Sequence, residues 1–357
     1  MDKLKALRMQ LSDRNIDGII ISTPHNRFYL SKFTGSAGWL YIDSVQANLI
    51  TDFRYVEQAQ KEAMGYNIVM HQSDAYTLLA KMIKVSKAKR IAFEGKDTHI
   101  FYNKLQQLFW DSRMEWIEGD EILSKMRRVK TLDEVESIRE AAAIGDMGFQ
   151  FLLDTIRPGM TERQIALELE FYMKKQGADE LSFQTIIASG ERSALPHGLA
   201  SDRILHAGDL VVMDFGCIYH HYCSDMTRTI GIEPMTKQQI DLYDLVKEAQ
   251  VMALKSVKVG MRASELDAVA RDIISNNGFG SYFGHGLGHG VGLEVHEEPN
   301  ISPSNDLILE ENMIITIEPG VYLEGLYGVR IEDLICIKRD GYELMCESTK
   351  QLKTIHL

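Results

Sequence analysis

Two stretches in the C-terminal half set acidic residues inside apolar, strand-forming text, and a protein core tolerates that only where something positive answers them. The first is LVVMDFGCIYHHYCSDMTRTIGI, residues 210–232. Two runs of strand formers flank Tyr219-His220, and folding the segment symmetrically about that point sets Asp214 opposite Asp225. Opposed residues of a hairpin have Cβ atoms about 4.5–5.5 Å apart, and like charges there are destabilising. Taken alone, the pair reads equally well as two solvated aspartates or as half of a cation site. The second is MIITIEPGVYLEGLYGVRIEDLICI, residues 313–337, where pairing about Gly325 sets Glu318 opposite Glu332. A second acidic pair in a second hairpin tips the reading toward a metal centre.

The neighbours two residues along each strand share its face. They are Thr227 beside Asp225, Thr316 beside Glu318 and Arg330 beside Glu332. All three can hydrogen-bond a ligating carboxylate and orient it. Between the hairpins lies FGHGLGHGVGLEVHEEP, with His285, His289 and His296. Its alternating glycines disfavour the helix that a zincin motif needs, and no helix former follows, which excludes a dinucleotide fingerprint. They suit an extended segment that other backbone approaches closely. Four carboxylates and an imidazole favour hard or borderline divalent ions, and two ions bridged by carboxylates balance the charge better than one.

The rest of the chain sets the frame. Its 357 residues exceed what one core usually supports, so two domains are expected. Residues 1–125 alternate strands (DGIIIS, WLYID, NLITD, NIVMH, RIAFEG, MEWIEG) with helical segments near 53–64, 75–86 and 98–109, which predicts a layered α/β domain. Residues 126–357 open with helices at 131–157 and 161–176, each started by a capping box, Thr131/Glu134 and Thr161/Gln164. Further helices follow near 237–257 and 263–277, then a strand-rich, glycine-rich end. The net charge of −12 disfavours nucleic acid and anionic membranes as partners. Four cysteines without C-x-x-C spacing suit a reduced, cytoplasmic protein. No apolar run approaches the roughly 20 residues that span a bilayer.

At Asp214, Asp225, His289, Glu318 and Glu332, in the contexts MDFG, SDMTRT, GHGVGLEVHE, TIEPG and GVRIED, the sequence resembles the pita-bread metallopeptidases, the group of methionine aminopeptidase, aminopeptidase P and prolidase. The N-terminal part, in YLSKFTGSAG and LITDFRYVEQA, is similar to the extra domain of the proline-specific branch. The resemblance implies an α/β N-terminal domain followed by an α+β pita-bread catalytic domain, and five metal ligands at those positions. It also implies two divalent ions, Mn²⁺ first with Co²⁺ or Zn²⁺ as alternatives. Glu318 would double as proton carrier, and His197 (in LPHG), His285 and His296 would contact the substrate without ligating metal. A homodimer built through the N-terminal domain is a further implication.

Prolidases often carry a basic residue shortly after the HE of this motif, able to meet a dipeptide's carboxylate. Here the text is His296-Glu297-Glu298-Pro299-Asn300. The expectation is therefore an Xaa-Pro aminopeptidase acting on small peptides with proline second, with the Xaa-Pro dipeptidase (prolidase) as alternative. A non-catalytic pita-bread binding protein is the distant alternative, since such proteins typically lose ligands.

Overall fold

A computed structural model describes residues 2–72, 74–95, 99–110, 113–157 and 159–356, with backbone only at 99–102. The chain divides into two compact units, Met1–Arg127 and Arg128–Leu357.

The first unit is built on Gly18–Ile21, whose four residues are all buried. A strand apolar on both faces must be covered on both. It pairs antiparallel with Trp39–Asp43 and parallel with Arg90–Phe93, at the centre of a six-stranded mixed sheet. The sheet continues through Ala47–Thr51 to Asn67–Met70 on one side and to Glu115–Glu118 on the other. Helix Ala75–Ser86 packs Leu79, Ala80 and Ile83 onto it beside Ile20, Tyr41 and Ile91. A third expected helix lies at His99–Leu108, and residue 98 is outside the described residues. Helices Pro24–Ser31 and Asp120–Arg128 carry no strong sequence signal and were not expected.

In the second unit the capping boxes form as hydrogen-bonded pairs, opening helices Leu132–Thr155 and Glu162–Lys175. Helices Lys237–Ser256 and Ala263–Asn276 bury Leu242, Val246, Leu266 and Ile274 against the strand residues Ile315, Ile317, Val329 and Ile335. One sheet orders its strands Thr354–Ile355, Met226–Ile232, Leu210–Phe215 and Ile186–Ser189. A second orders Glu297–Ile301, Gly288–Gly290, Ile314–Ile317, Asp333–Lys338 and Gly341–Leu344. Among the described residues no helix is long and apolar enough to cross a membrane.

The two acidic hairpins differ from each other in register. Glu318 stands across from Glu332, because the ladders on either side, Ile317↔Asp333 and Gly320↔Arg330, share one register. The first hairpin is shifted from expectation: Asp214 pairs with Thr227, and Asp225 lies diagonally across. The turn explains the shift. It is centred on His220-His221, with φ of 48° and 73°, a two-residue loop whose twist matches the strands, and Tyr219 faces Tyr222. The two-residue slip keeps both aspartates on one face, since side chains alternate with period two.

The glycines of 284–292 admit close backbone. A Cβ on Gly288 would lie 2.1 Å from the Thr316 carbonyl oxygen, and one on Gly290 would lie 2.3 Å from that of Glu298. In the first hairpin a Cβ on Gly216 would lie 2.0 Å from the Ser224 oxygen. Gly216→Ala is therefore expected to cost at least the roughly 1–3 kcal/mol of an overpacked core, read as a lower urea midpoint. An unchanged midpoint would show that the two strands are not so closely packed there.

Candidate metal centre

The strand ends deliver the acidic residues to one place. Asp225, His289 and Glu332 offer ligand atoms that all lie within 4.8 Å of one another. Glu318 joins them through His289, whose Nε2 is 3.2 Å from Glu318 Oε1 and 3.6 Å from Asp225 Oδ2. Asp214 is brought to the same cluster but is held by Arg330, with Nη2 2.5 Å from Asp214 Oδ2. Its other oxygen, Oδ1, is buried without a hydrogen-bond partner, and so is Glu332 Oε1. An unsatisfied buried carboxylate oxygen is costly, and two in one cluster mark where a cation belongs. His289 Nδ1 faces the Gly290 carbonyl at 3.2 Å, so Nδ1 donates and Nε2 is the nitrogen turned to the acids.

The electrostatics agree with that geometry. Burial, then the nearby Glu332, Asp214 and Glu318, hold the Asp225 carboxyl well above the usual carboxylate range. Burial, Glu318 and Asp214 do the same to Glu332. Burial raises Asp214 too, against the opposing pull of Arg330. Burial would also raise Glu318, but its hydrogen bond to His289 and the His289 charge outweigh it and bring it down to about 2. The same pair raises His289 against its burial. The residues fit a divalent metal: four acids and one imidazole nitrogen surround a volume where His289 and Arg330 are the neighbouring positive groups.

One of the two hydroxyls supports its expected acid and the other does not. Thr227 Oγ1 donates to Glu332 Oε2 at 2.7 Å instead of to Asp225, and it accepts from Arg330 Nε at 3.1 Å. Thr227 stands opposite Asp214, and its carbonyl accepts the Glu332 N–H at 3.1 Å, which sets it beside the second hairpin. Thr316 Oγ1 donates to Glu318 Oε1 at 3.1 Å and accepts the His289 N–H at 3.1 Å. Arg330, adjacent in register to Glu332, serves Asp214.

The three remaining histidines lie in different settings. His285 Nδ1 donates to the Gly286 carbonyl at 2.7 Å, and Nε2 accepts from the Tyr322 hydroxyl at 2.9 Å. Burial lowers its pKa, which favours the neutral ring. His296 lies edge-on to His289 with ring centroids 4.3 Å apart, and its pKa is lowered by partial burial and by the His289 charge. His197 is exposed, on the loop that follows the 3₁₀ turn Gly190–Ala194. Tyr322 was missed from sequence. It accepts from Arg330 Nη1 at 2.9 Å and so links Arg330 to His285. Its signal was present: it shares the strand face of Glu318 and stands across from a glycine, Gly328.

Glu297 and Glu298 are not free acids. Lys130 Nζ lies 3.4 Å from Glu297 Oε2, and Arg128 is paired with Glu298. Lys130 reaches there because its backbone N–H bonds the Asn312 carbonyl and Val129 bridges Met313. The absence of a basic residue in the text around 296–300 therefore misleads, because cations arrive from 170 residues upstream in the chain.

Residues 136–339 match metallopeptidase family M24, and residues 3–129 match the creatinase/prolidase N-terminal domain. The chain belongs to metallopeptidase family M24. It has that family's pita-bread catalytic domain behind a creatinase-type N-terminal domain, as in the solved structures it resembles. Among these is an Xaa-Pro dipeptidase from Bacillus anthracis, 42% identical with a TM-score of 0.96, covering 99% of each chain. An X-Pro aminopeptidase from Thermotoga maritima is 39% identical with a TM-score of 0.89, covering 96% of this chain and 99% of that one. In sequence, an Xaa-Pro dipeptidase from Pyrococcus furiosus is 37% identical over 98% of this chain and 99% of its own.

The charge cluster makes a signed forecast. Asp225 and Glu332 have raised pKa values in the fold, so the ion-free protein takes up protons on folding. The contribution of these two groups to stability is greatest below the ordinary carboxylate range and is lost as pH rises through the raised values. In chelator-treated protein at pH 7, Glu332→Gln should thus melt higher than wild type by a few degrees, the shift that about 1 kcal/mol gives in a domain of this size. Added Mn²⁺ should raise the wild-type melting temperature with concentration and leave the variant unmoved. A variant that melts lower without ions, or responds to Mn²⁺ as wild type does, contradicts the repulsion account.

Proposed function

We propose that this chain is an Xaa-Pro dipeptidase: it hydrolyses the bond before proline in dipeptides, using two divalent ions held by Asp214, Asp225, His289, Glu318 and Glu332. The comparisons favour this over the aminopeptidase expected from sequence, since named dipeptidases align along nearly the whole chain. The observation that carries it is the neutralised acidic pair just beyond His296, where Lys130 and Arg128 answer Glu297 and Glu298. Basic residues absent from the sequence around His296 are thus supplied there in space. The aminopeptidase remains the second reading, because the Thermotoga enzyme has the same fold at similar identity.

Ions in such a site supply Lewis acidity and an acidified water. This chain's own residues divide the remaining work. Glu318 Oε1 lies 3.2 Å from His289 Nε2, whose charge holds the Glu318 carboxyl down; with that nitrogen given to an ion, Glu318 would be the carboxylate left to carry a proton. It accepts the proton of the attacking water and returns it to the proline nitrogen, which has no hydrogen of its own in the substrate. His296 and His197 face the substrate carbonyl and hydrogen-bond the oxyanion as it forms. His285 is braced by Tyr322 and Gly286. Arg330 holds Asp214, Thr227 and Tyr322 in one relation.

Steady-state kinetics on Gly-Pro and Gly-Pro-Ala test the reading. The dipeptide should show a kcat/KM at least about tenfold higher, which is 1.4 kcal/mol of discrimination. Chelation should abolish turnover of both. Equal or better cleavage of the tripeptide would move the protein to the aminopeptidase side. His296→Ala should lower kcat/KM by roughly 10² with metal content intact. Loss of metal in that variant would make His296 a ligand instead.

A further inference from the structure

The His197 ring makes no hydrogen bond and no ring contact among the described residues, whereas His296 at least packs edge-on against His289, so the place of His197 is set by its backbone. That backbone is the loop 190–201, and the loop closes on one buried carboxylate. Glu162, the first residue of helix Glu162–Lys175, is fully buried. Its Oε1 accepts the N–H and the hydroxyl of Ser189 at 2.8 and 2.7 Å. Its Oε2 accepts the N–H and hydroxyl of Ser201 at 3.0 and 2.6 Å, and pairs with the Arg192 guanidinium. Ser189 and Ser201 are the two ends of the loop, and Arg192 lies within it and donates in turn to the Leu199 carbonyl at 2.8 Å.

A buried charge is retained only where donors and an opposite charge meet it. Here five donors and the positive end of the helix do so. Joining the helix to the chain after the loop does not require them. The Glu162 N–H to the Arg203 carbonyl and the Arg163 N–H to the Ser201 carbonyl, at 3.0 and 2.9 Å, already make that junction. What the carboxylate adds is a clasp on the residues that bracket His197. The opposite side of the loop is held from the metal cluster: Arg330 Nη1 donates to the Pro196 carbonyl at 3.1 Å, and the Gly328 N–H to Ser193 Oγ at 2.8 Å.

We propose that Glu162 is a positioning residue of the reaction, holding His197 at the substrate carbonyl by clasping both ends of the loop 190–201. This rests on the reading of His197 as a group that touches substrate. The test is a double-mutant cycle on turnover of Gly-Pro by the full-length, metal-loaded protein. Glu162→Gln keeps the shape and removes the charge, while Ser201→Ala removes one bond of the clasp and decides the matter if the first variant folds poorly. Each should lower kcat several-fold or more with little change in KM and with full metal content. In a His197→Ala background each should change kcat by less than about twofold, because its route to the chemistry is already gone. Glu162→Asp, which keeps the charge, should recover part of the loss. Equal losses in both backgrounds would reduce Glu162 to a structural role and overturn the proposal, and so would unchanged kcat in the wild-type background. If His197→Ala alone left turnover intact, the fault would lie in the assignment of His197, and the positioning claim would fall with it.

Discussion

Mutual repulsion among four carboxylates in a largely buried cluster is the constraint on which the catalytic unit depends. Asp214, Asp225, Glu318 and Glu332 come from two hairpins, and each raises the energy of ionising another. Arg330 and the His289 imidazole are the positive groups that answer them from within, and two oxygens, Asp214 Oδ1 and Glu332 Oε1, are still left without partners. A fold that keeps such a cluster holds binding energy in reserve for cations, because each ion removes repulsion as well as adding its own coordination.

The scaffold meets this demand by bringing strands unusually close. Gly288 and Gly216 admit a neighbouring carbonyl where any side chain would collide, and this lets His289 and Asp225 reach the same volume from different ladders. Threonine hydroxyls then fix the rotation of the carboxylates: Thr227 bonds Glu332 and Thr316 bonds Glu318. His285, His197 and His296 are held by other means. A chain of bonds through Arg330 and Tyr322 braces His285, and buried or partly buried ion pairs close the loops of His197 and His296. The charges that look superfluous in the sequence, Glu162 and Glu297, are partners in those ion pairs.

Much of the fold was legible because its signals are local. Capping boxes at Thr131 and Thr161 name the helix starts, and the apolar run Gly18–Ile21 names a strand covered on both faces. The register of the second hairpin was legible too, since Gly325 supplies an unambiguous turn with φ of 72°. The first hairpin was not. Four polar or aromatic residues, Tyr219 to Tyr222, offer more than one turn centre, and the choice fell on His220-His221, where non-glycine residues take positive φ. That two-residue difference changed which residue stands across from Asp214.

The sequence by itself determined the chemistry of the centre: the types and order of its acids and histidines, and the alternation that turns them to one face of their strands. It could do so because period-two alternation and turn chemistry act over a few residues. Only the tertiary structure decided the partners. Arg330 serves Asp214 instead of its neighbour Glu332, and Tyr322 links Arg330 to His285. Lys130 and Arg128 cancel the acids after His296 from about 170 positions away, and Glu162 clasps the loop of His197. Each of these is an electrostatic or hydrogen-bonded pairing between segments distant in the chain. Coulomb energy depends on separation in space and on burial, and neither is written in the spacing of residues along the chain.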